Sequence, residues 1–176
     1  HCIPVDPYYM MQRAQEVGVP AELITAARAV NRMMPKHVSR VLRDLLYQSG
    51  VAAGKGRVLF LGWSYKSGVG DARETPAEPL AKDLIDAGIS VSTWDPYLQI
   101  SDIPINIQVI ENISEAVNFD MVVLATAHKE CIEIDWNSLL EKMRTPILYD
   151  GRRVLDLDFM QSMGWKANAV GSPQVI

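Results

Sequence analysis

From Arg57 onward the chain repeats one pattern, a short apolar run followed by a loop and an amphipathic stretch, and that repetition leaves few folds open. RVLFLGW (57–63), ISVSTWDP (89–96), MVVLAT (121–126) and PILYD (146–150) have the length of strands. Between them TPAEPLAKDLIDAG (75–88), SEAVNFD (114–120) and WNSLLEKMR (136–144) read as helices. The first of these has a physical start and stop. Thr75 as N-cap, Pro76 at the first helical position and Glu78 three residues after the cap make a capping box, and Gly88 closes the helix. Strands that alternate with helices pair in parallel, because each helix carries the chain back across the sheet. The expectation is therefore an α/β fold with a doubly wound parallel sheet. Ligands of such sheets bind outside the carboxyl ends of the strands, which directs attention to the loops after Trp63, Asp95, Thr126 and Asp150.

The preceding part of the chain has a different period. Leu23, Ile24, Ala27, Val30, Met34, Val38, Val41, Leu42 and Leu45 recur at spacings of three and four between Pro20 and Ser49, as on one long amphipathic helix. Pro35 cannot donate to the carbonyl of Asn31, so a kink or break is expected there. A shorter helix over 8–17 precedes it and ends at Gly18. The small, glycine-rich stretch SGVAAGKGR (49–57) has no periodicity and reads as a hinge. Residues 1–50 are thus expected to form a helical segment and residues 51–176 the sheet domain.

Composition removes several functions. A net charge of −4, with no basic run, offers no field for a nucleic acid backbone. The longest apolar stretches, such as MVVLATA (121–127), fall short of the ~20 residues of a membrane span. With no apolar leader at its start, the chain is expected to be cytoplasmic. Cys2 and Cys131 have no CxxC or Cys/His spacing, so neither a disulfide nor a zinc site is indicated.

Three stretches can carry chemistry. GWSYKSGVGDARE (62–74) lies where a phosphate loop would, but its glycines at 62, 68 and 70 match neither GxGxxG nor the Walker spacing. Lys66 and Arg73 flank those glycines and together fit a pyrophosphate, Arg73 as a fork and Lys66 as a point charge. The competing reading is a solvated loop with a surface pair between Asp71 and Arg73. In YDGRRVLD (149–156), Arg152 or Arg153 adds a third cation at the same edge and favours an anionic ligand. Cys2 is either a small buried hydrophobe or a nucleophile. Pro4 and Pro7 would rigidify a turn presenting Cys2 and Asp6 to each other. A carboxylate disfavours a neighbouring thiolate, so Asp6 fits a base or an orienter of water better than an activator.

In order, HCIPVDPYY, ARAVNRMMP, LGWSYKSGVGDARETPA, the WDP strand end and YDGRR closely resemble the C-terminal half of nucleotide-sugar dehydrogenases of the UDP-glucose/UDP-N-acetylmannosamine dehydrogenase family. The resemblance implies a Rossmann-like sheet domain that binds a UDP-sugar. It implies oxidation of the sugar C6 alcohol to a carboxylate with NAD, through a thioester on Cys2, with Asp6 handling water during hydrolysis. Tyr65 and Lys66 fall where the family contacts the UDP-sugar, Arg152 where it binds the nucleotide-sugar, and Arg73 where it contacts the cofactor. Asn31 is either a functional contact or a buried amide satisfied near Pro35. The long helix is implied as the connection between two Rossmann-like domains and the seam of a homodimer, with the NAD-binding domain upstream of His1. A start other than Met agrees with such a fragment, which alone is expected to be inactive.

His1 before the cysteine, and Val5 where glucose-type enzymes usually carry lysine, resemble the branch that acts on UDP-N-acetylhexosamines. The alternatives are a UDP-glucose 6-dehydrogenase and, from another class, a non-catalytic nucleotide-binding or dimerisation module with a structural Cys2.

Overall fold

The structure, a computed structural model, describes residues 2–172; His1 and residues 173–176 lie outside the described residues. Two helices come first, α1 (Cys2–Glu16) and α2 (Glu22–Gln48). The sheet domain follows as β1 (Arg57–Leu61), α3 (Ala77–Asp86), β2 (Ser90–Trp94), β3 (Gln108–Val109), β4 (Met121–Leu124), α4 (Lys129–Ile132), α5 (Trp136–Glu141), β5 (Ile147–Asp150), α6 (Leu157–Ser162) and β6 (Lys166–Ala169).

The strands form a single parallel sheet in the order β3-β2-β1-β4-β5-β6, so the chain winds outward one way from β1 and then the other way from β4. The expected doubly wound, Rossmann-like sheet is thus present. In register, Val58 lies between Val91 and Met121, and Leu61 between Trp94 and Leu124. A central parallel strand is covered on both faces, which explains why β1 and β4 read as unbroken apolar runs. Val58 and Phe60 point to the face packed by Leu42 and Leu46 of α2 and Leu84 of α3. Leu59 and Leu61 point to the other face, against Trp136 and Leu139 of α5 and Met160 of α6. At about 25 cal/mol per Å2, these side chains supply much of the drive to fold.

Several expectations need correction. The helix placed at 8–17 begins at Cys2, so no turn precedes it. Pro4 falls within the first turn, where backbone N–H groups lack intrahelical partners in any case, and Pro7 removes one bond, to Ile3, without ending the helix. α2 likewise runs unbroken through Pro35, because its last turns are anchored by burial of Val41, Leu42 and Leu46. The stretch expected as a helix over 114–120 is a single 3-10 turn, Ile113–Glu115. Asn112 caps that turn, Ala116 is extended and Asn118 has φ +61°.

Other local readings hold in geometry. Gly18 takes φ +71°, and Val19 N–H bonds back to Ala14 O, ending α1. Gly88 does the same for α3, with φ +85°. The start expected for α3 needs correction: the helix begins at Ala77 with Pro76 as its N-cap and no side-chain cap bond, so the capping box from Thr75 to Glu78 is not formed, although Thr75 Oγ1 accepts from Ala77 N–H at 3.2 Å. Ser39, fully buried on α2, donates to Asp83 of α3 at 2.6 Å and fastens the long helix to the sheet domain. No described helix is long and apolar enough to cross a membrane.

Candidate functional site

Beyond the carboxyl ends of β4 and β5 lies a cleft of about 620 Å3, walled by the start of α1, the middle of α2 and the approach to α3. Val123, Ala125 and Tyr149 form its apolar floor, while Tyr65, Arg152, Asn31, Arg28, Arg32 and Glu74 bring polar groups to it. Cations and aromatic surface around an apolar floor suit a ligand with both an anionic and a cyclic part.

Arg152 reaches the cleft because Asp150 folds the loop beneath it. Asp150 is fully buried, and its carboxylate accepts the backbone N–H of Arg152 and Arg153 on one oxygen and of Val154 and Leu155 on the other, at 2.7–2.8 Å. Four donors on one carboxylate turn the chain sharply enough to put Arg153 at φ +54°. Arg152 Nε then donates to Ala125 O at 2.6 Å, which fixes the plane of the guanidinium. Burial pulls the Arg152 pKa below the ordinary arginine value, opposed by Tyr65 and Asp150.

α2 adds Arg28 and Arg32, one helical turn apart and on the same wall. Tyr8 of α1 links them. Arg32 donates to its hydroxyl at 3.1 Å, and Arg28 lies over its ring at 5.5 Å. Arg32 and then Arg28 lower the Tyr8 pKa. Arg28 Nε is out of water and has no hydrogen-bond partner among the described residues. Neither arginine was indicated by the sequence reading, although their spacing around Asn31 was a usable signal.

The other candidate residues sit around this cleft rather than in its wall. Cys2 is exposed at the start of α1, next to Ile3, which lines the cleft. Asp6 follows Cys2 by one helical turn on the same face. Lys66 is exposed on the loop after Tyr65. Arg73 faces solvent and grips Asp71 with two bonds, 3.0 Å from Nε and 2.7 Å from Nη2, holding the Asp71 carboxyl at about 2. The surface pair weighed against a pyrophosphate grip is therefore formed.

A sheet that reverses direction between β1 and β4, with its cleft at the carboxyl edge, defines a Rossmann-like domain of the nucleotide-binding type. Residues 59–157 match the UDP-glucose/GDP-mannose dehydrogenase family, UDP binding domain, and the chain belongs to this family. It is 30% identical to a UDP-N-acetyl-D-mannosamine dehydrogenase of Pyrococcus horikoshii over 155 residues, 88% of this chain and 35% of that protein. It is 29% identical to a UDP-N-acetyl-D-glucosamine 6-dehydrogenase of Pseudomonas aeruginosa over 161 residues, 90% of this chain and 38% of that one. A solved NDP-N-acetyl-D-galactosaminuronic acid dehydrogenase of Methanosarcina mazei superposes with a TM-score of 0.84 at 26% identity, covering 97% of this chain and 38% of its own. This chain thus spans well under half the length of the relatives it matches.

Proposed function

We infer that this chain forms the nucleotide-sugar side of an NAD-dependent UDP-N-acetylhexosamine 6-dehydrogenase. The observation that carries the reading is the presence of Tyr65 and Arg152 in one cleft that the start of α1, next to Cys2, also borders. Arg152 provides a forked cation for the pyrophosphate, and Tyr65 a ring and hydroxyl for the uridine sugar. Lys66, at the exposed rim, adds a movable charge. Two relatives bearing N-acetylhexosamine names favour that substrate branch over UDP-glucose, the alternative. His1, which suggested the same branch, lies outside the described residues.

In this reading the C6 alcohol would give a hydride to NAD and a proton to become the aldehyde. The thiol of Cys2 adds to its carbon, the S–H proton passing to the oxygen, and the resulting thiohemiacetal would lose a second hydride to NAD and a proton to become the thioester. At the thioester stage Asp6 orients water toward the same carbon; the C–S bond breaks, and the products are the carboxylate and free Cys2. The described residues do not fit a dinucleotide. The glycines lack the required spacing, and a Cβ at Gly62 would lie 2.6 Å from Thr126, so that turn is closed by the chain itself. The hydride acceptor, NAD, is assigned to the remainder of the protein, with solvent-facing Arg73 as this chain's contact to it. A homodimer through α2 belongs to the same proposal, supported by the exposed Leu23, Val30 and Met33.

The test uses the longer protein, with NADH release measured over UDP-N-acetylmannosamine, UDP-N-acetylglucosamine, UDP-N-acetylgalactosamine and UDP-glucose. Turnover of an N-acetylhexosamine that Cys2→Ser abolishes is the expected result. Intact binding without turnover of any sugar would establish the non-catalytic module instead.

A further inference from the structure

His128 is fully buried beneath the loop that carries Tyr65, and both of its ring nitrogens are engaged. Nδ1 lies 3.0 Å from the backbone N of Gly68. A backbone N–H only donates, so Nδ1 carries a lone pair and the proton sits on Nε2, which donates to Asp95 Oδ2 at 3.1 Å. Asp95 in turn accepts from Trp63 N–H, Ser64 N–H and Ser64 Oγ at 2.7–2.9 Å. Tyr97 covers the imidazole at 4.8 Å, with its hydroxyl tied to Glu130. The exits of β1, β2 and β4 therefore meet at one ring.

Tyr65 lies between the two points at which this network holds the loop, Ser64 on the Asp95 side and Gly68 on the His128 side. We propose that His128 is a positioning residue for the nucleotide site: its Nδ1 latches Gly68 and, with Asp95 fixing Ser64, sets the backbone from which Tyr65 reaches the cleft. The proposal rests on the functional reading above for its ligand, but not for its geometry. Nearby, Ser67 Oγ also donates to Ala127 O at 2.6 Å, so the whole loop is docked on the β4 exit, with the imidazole as its buried fastening.

Two substitutions divide the ring's roles. His128→Asn places an acceptor near the Nδ1 position and keeps the Gly68 bond; His128→Gln places a donor near Nε2, keeps the Asp95 bond and releases Gly68. UDP affinity and amide exchange would be measured on this 176-residue chain. Release of one hydrogen bond is expected to weaken UDP binding and speed Gly68 exchange by about fivefold in His128→Gln, with His128→Asn within about twofold of wild type. Equal effects of both variants, or none from His128→Gln, would overturn the latch. Should His128→Gln fail to fold, wild-type exchange decides: Gly68 must exchange more slowly than its exposed neighbours Ser67 and Val69, and equal rates contradict the proposal. Failure of the wild-type chain to bind UDP would count against the functional reading, and the exchange measurement would then decide the latch by itself.

Discussion

Tyr65 and Arg152 line the same cleft from loops that leave β1 and β5, and Ala125, the first residue after the strand between these two, β4, supplies the carbonyl that orients the arginine. An arginine held this way presents its remaining N–H groups in a fixed direction. Arg152→Ala is expected to weaken UDP binding by about 10- to 100-fold, the effect of losing charge-assisted hydrogen bonds. Arg152→Lys should recover little of that, because an ammonium cannot reproduce the fork. Calorimetric titration checks both, and full affinity in the lysine variant would show that only charge matters.

Gly62 separates a folding requirement from a binding one. It has φ +81°, and an added Cβ would lie 2.6 Å from Thr126 O. Gly68 has a similar φ of +74°, but nothing stands within 4 Å of its added Cβ. Gly68→Ala is expected to cost about 1–2 kcal/mol, the backbone penalty alone, and Gly62→Ala clearly more because of the added clash. Urea unfolding of the two variants measures the difference, and equal losses would contradict the packing at Thr126.

Acid sensitivity follows from Asp120, which is fully buried and bonded by Arg144, Thr145 and the Arg57 N–H. Burial pushes its carboxyl pKa up, but these bonds outweigh it and the net shift is downward. A depressed carboxyl stabilises the fold above its unfolded pKa of about 3.9, and that contribution is lost as the pH falls through the lower, folded value. Arg144 is half exposed, so solvent screens the pair and Arg144→Gln should cost about 2 kcal/mol at pH 7, less than the ~3–5 kcal/mol of breaking a fully buried pair. The deficit should shrink as the solution is acidified below pH ~4. A deficit independent of pH would show that Arg144 contributes by packing instead.

The 176-residue chain alone is expected to release no NADH from any UDP-sugar, because its described residues form no dinucleotide cradle. Steady NADH production by the purified chain would contradict this division of labour.

Much of the sheet was legible in the sequence because β1, β4 and β5 are buried on both faces and so appear as apolar runs. The edge strand β6 was not, since KANA has one fully buried residue and an edge needs little apolar surface. Prolines misled in one direction, suggesting interruptions where helix continues: Pro4 and Pro7 a turn where α1 begins, and Pro35 a kink or break, of which the break does not occur because the end of α2 is anchored. Asn118 ended a supposed helix through a left-handed conformation that composition does not reveal. At the site, Tyr65 and Arg152 came from ordered motifs in the chain. The spacing of Arg28 and Arg32 around Asn31 places them on one wall of α2, but their partner Tyr8 and those of the His128 imidazole are met only when α1 folds onto α2 and three strand exits converge, which no local spacing encodes.

The central claim is that UDP occupies the cleft between α2 and the carboxyl edge of β4 and β5. The most direct measurement is a titration of this chain with UDP, followed by backbone amide chemical shifts. Saturable shifts centred on Tyr65, Ala125, Gly151 and Arg152, with Asn31 across the cleft, are the expected result. Saturable shifts centred instead on Trp94, Gln99 and Glu111 at the other end of the sheet, or none at all, would contradict it.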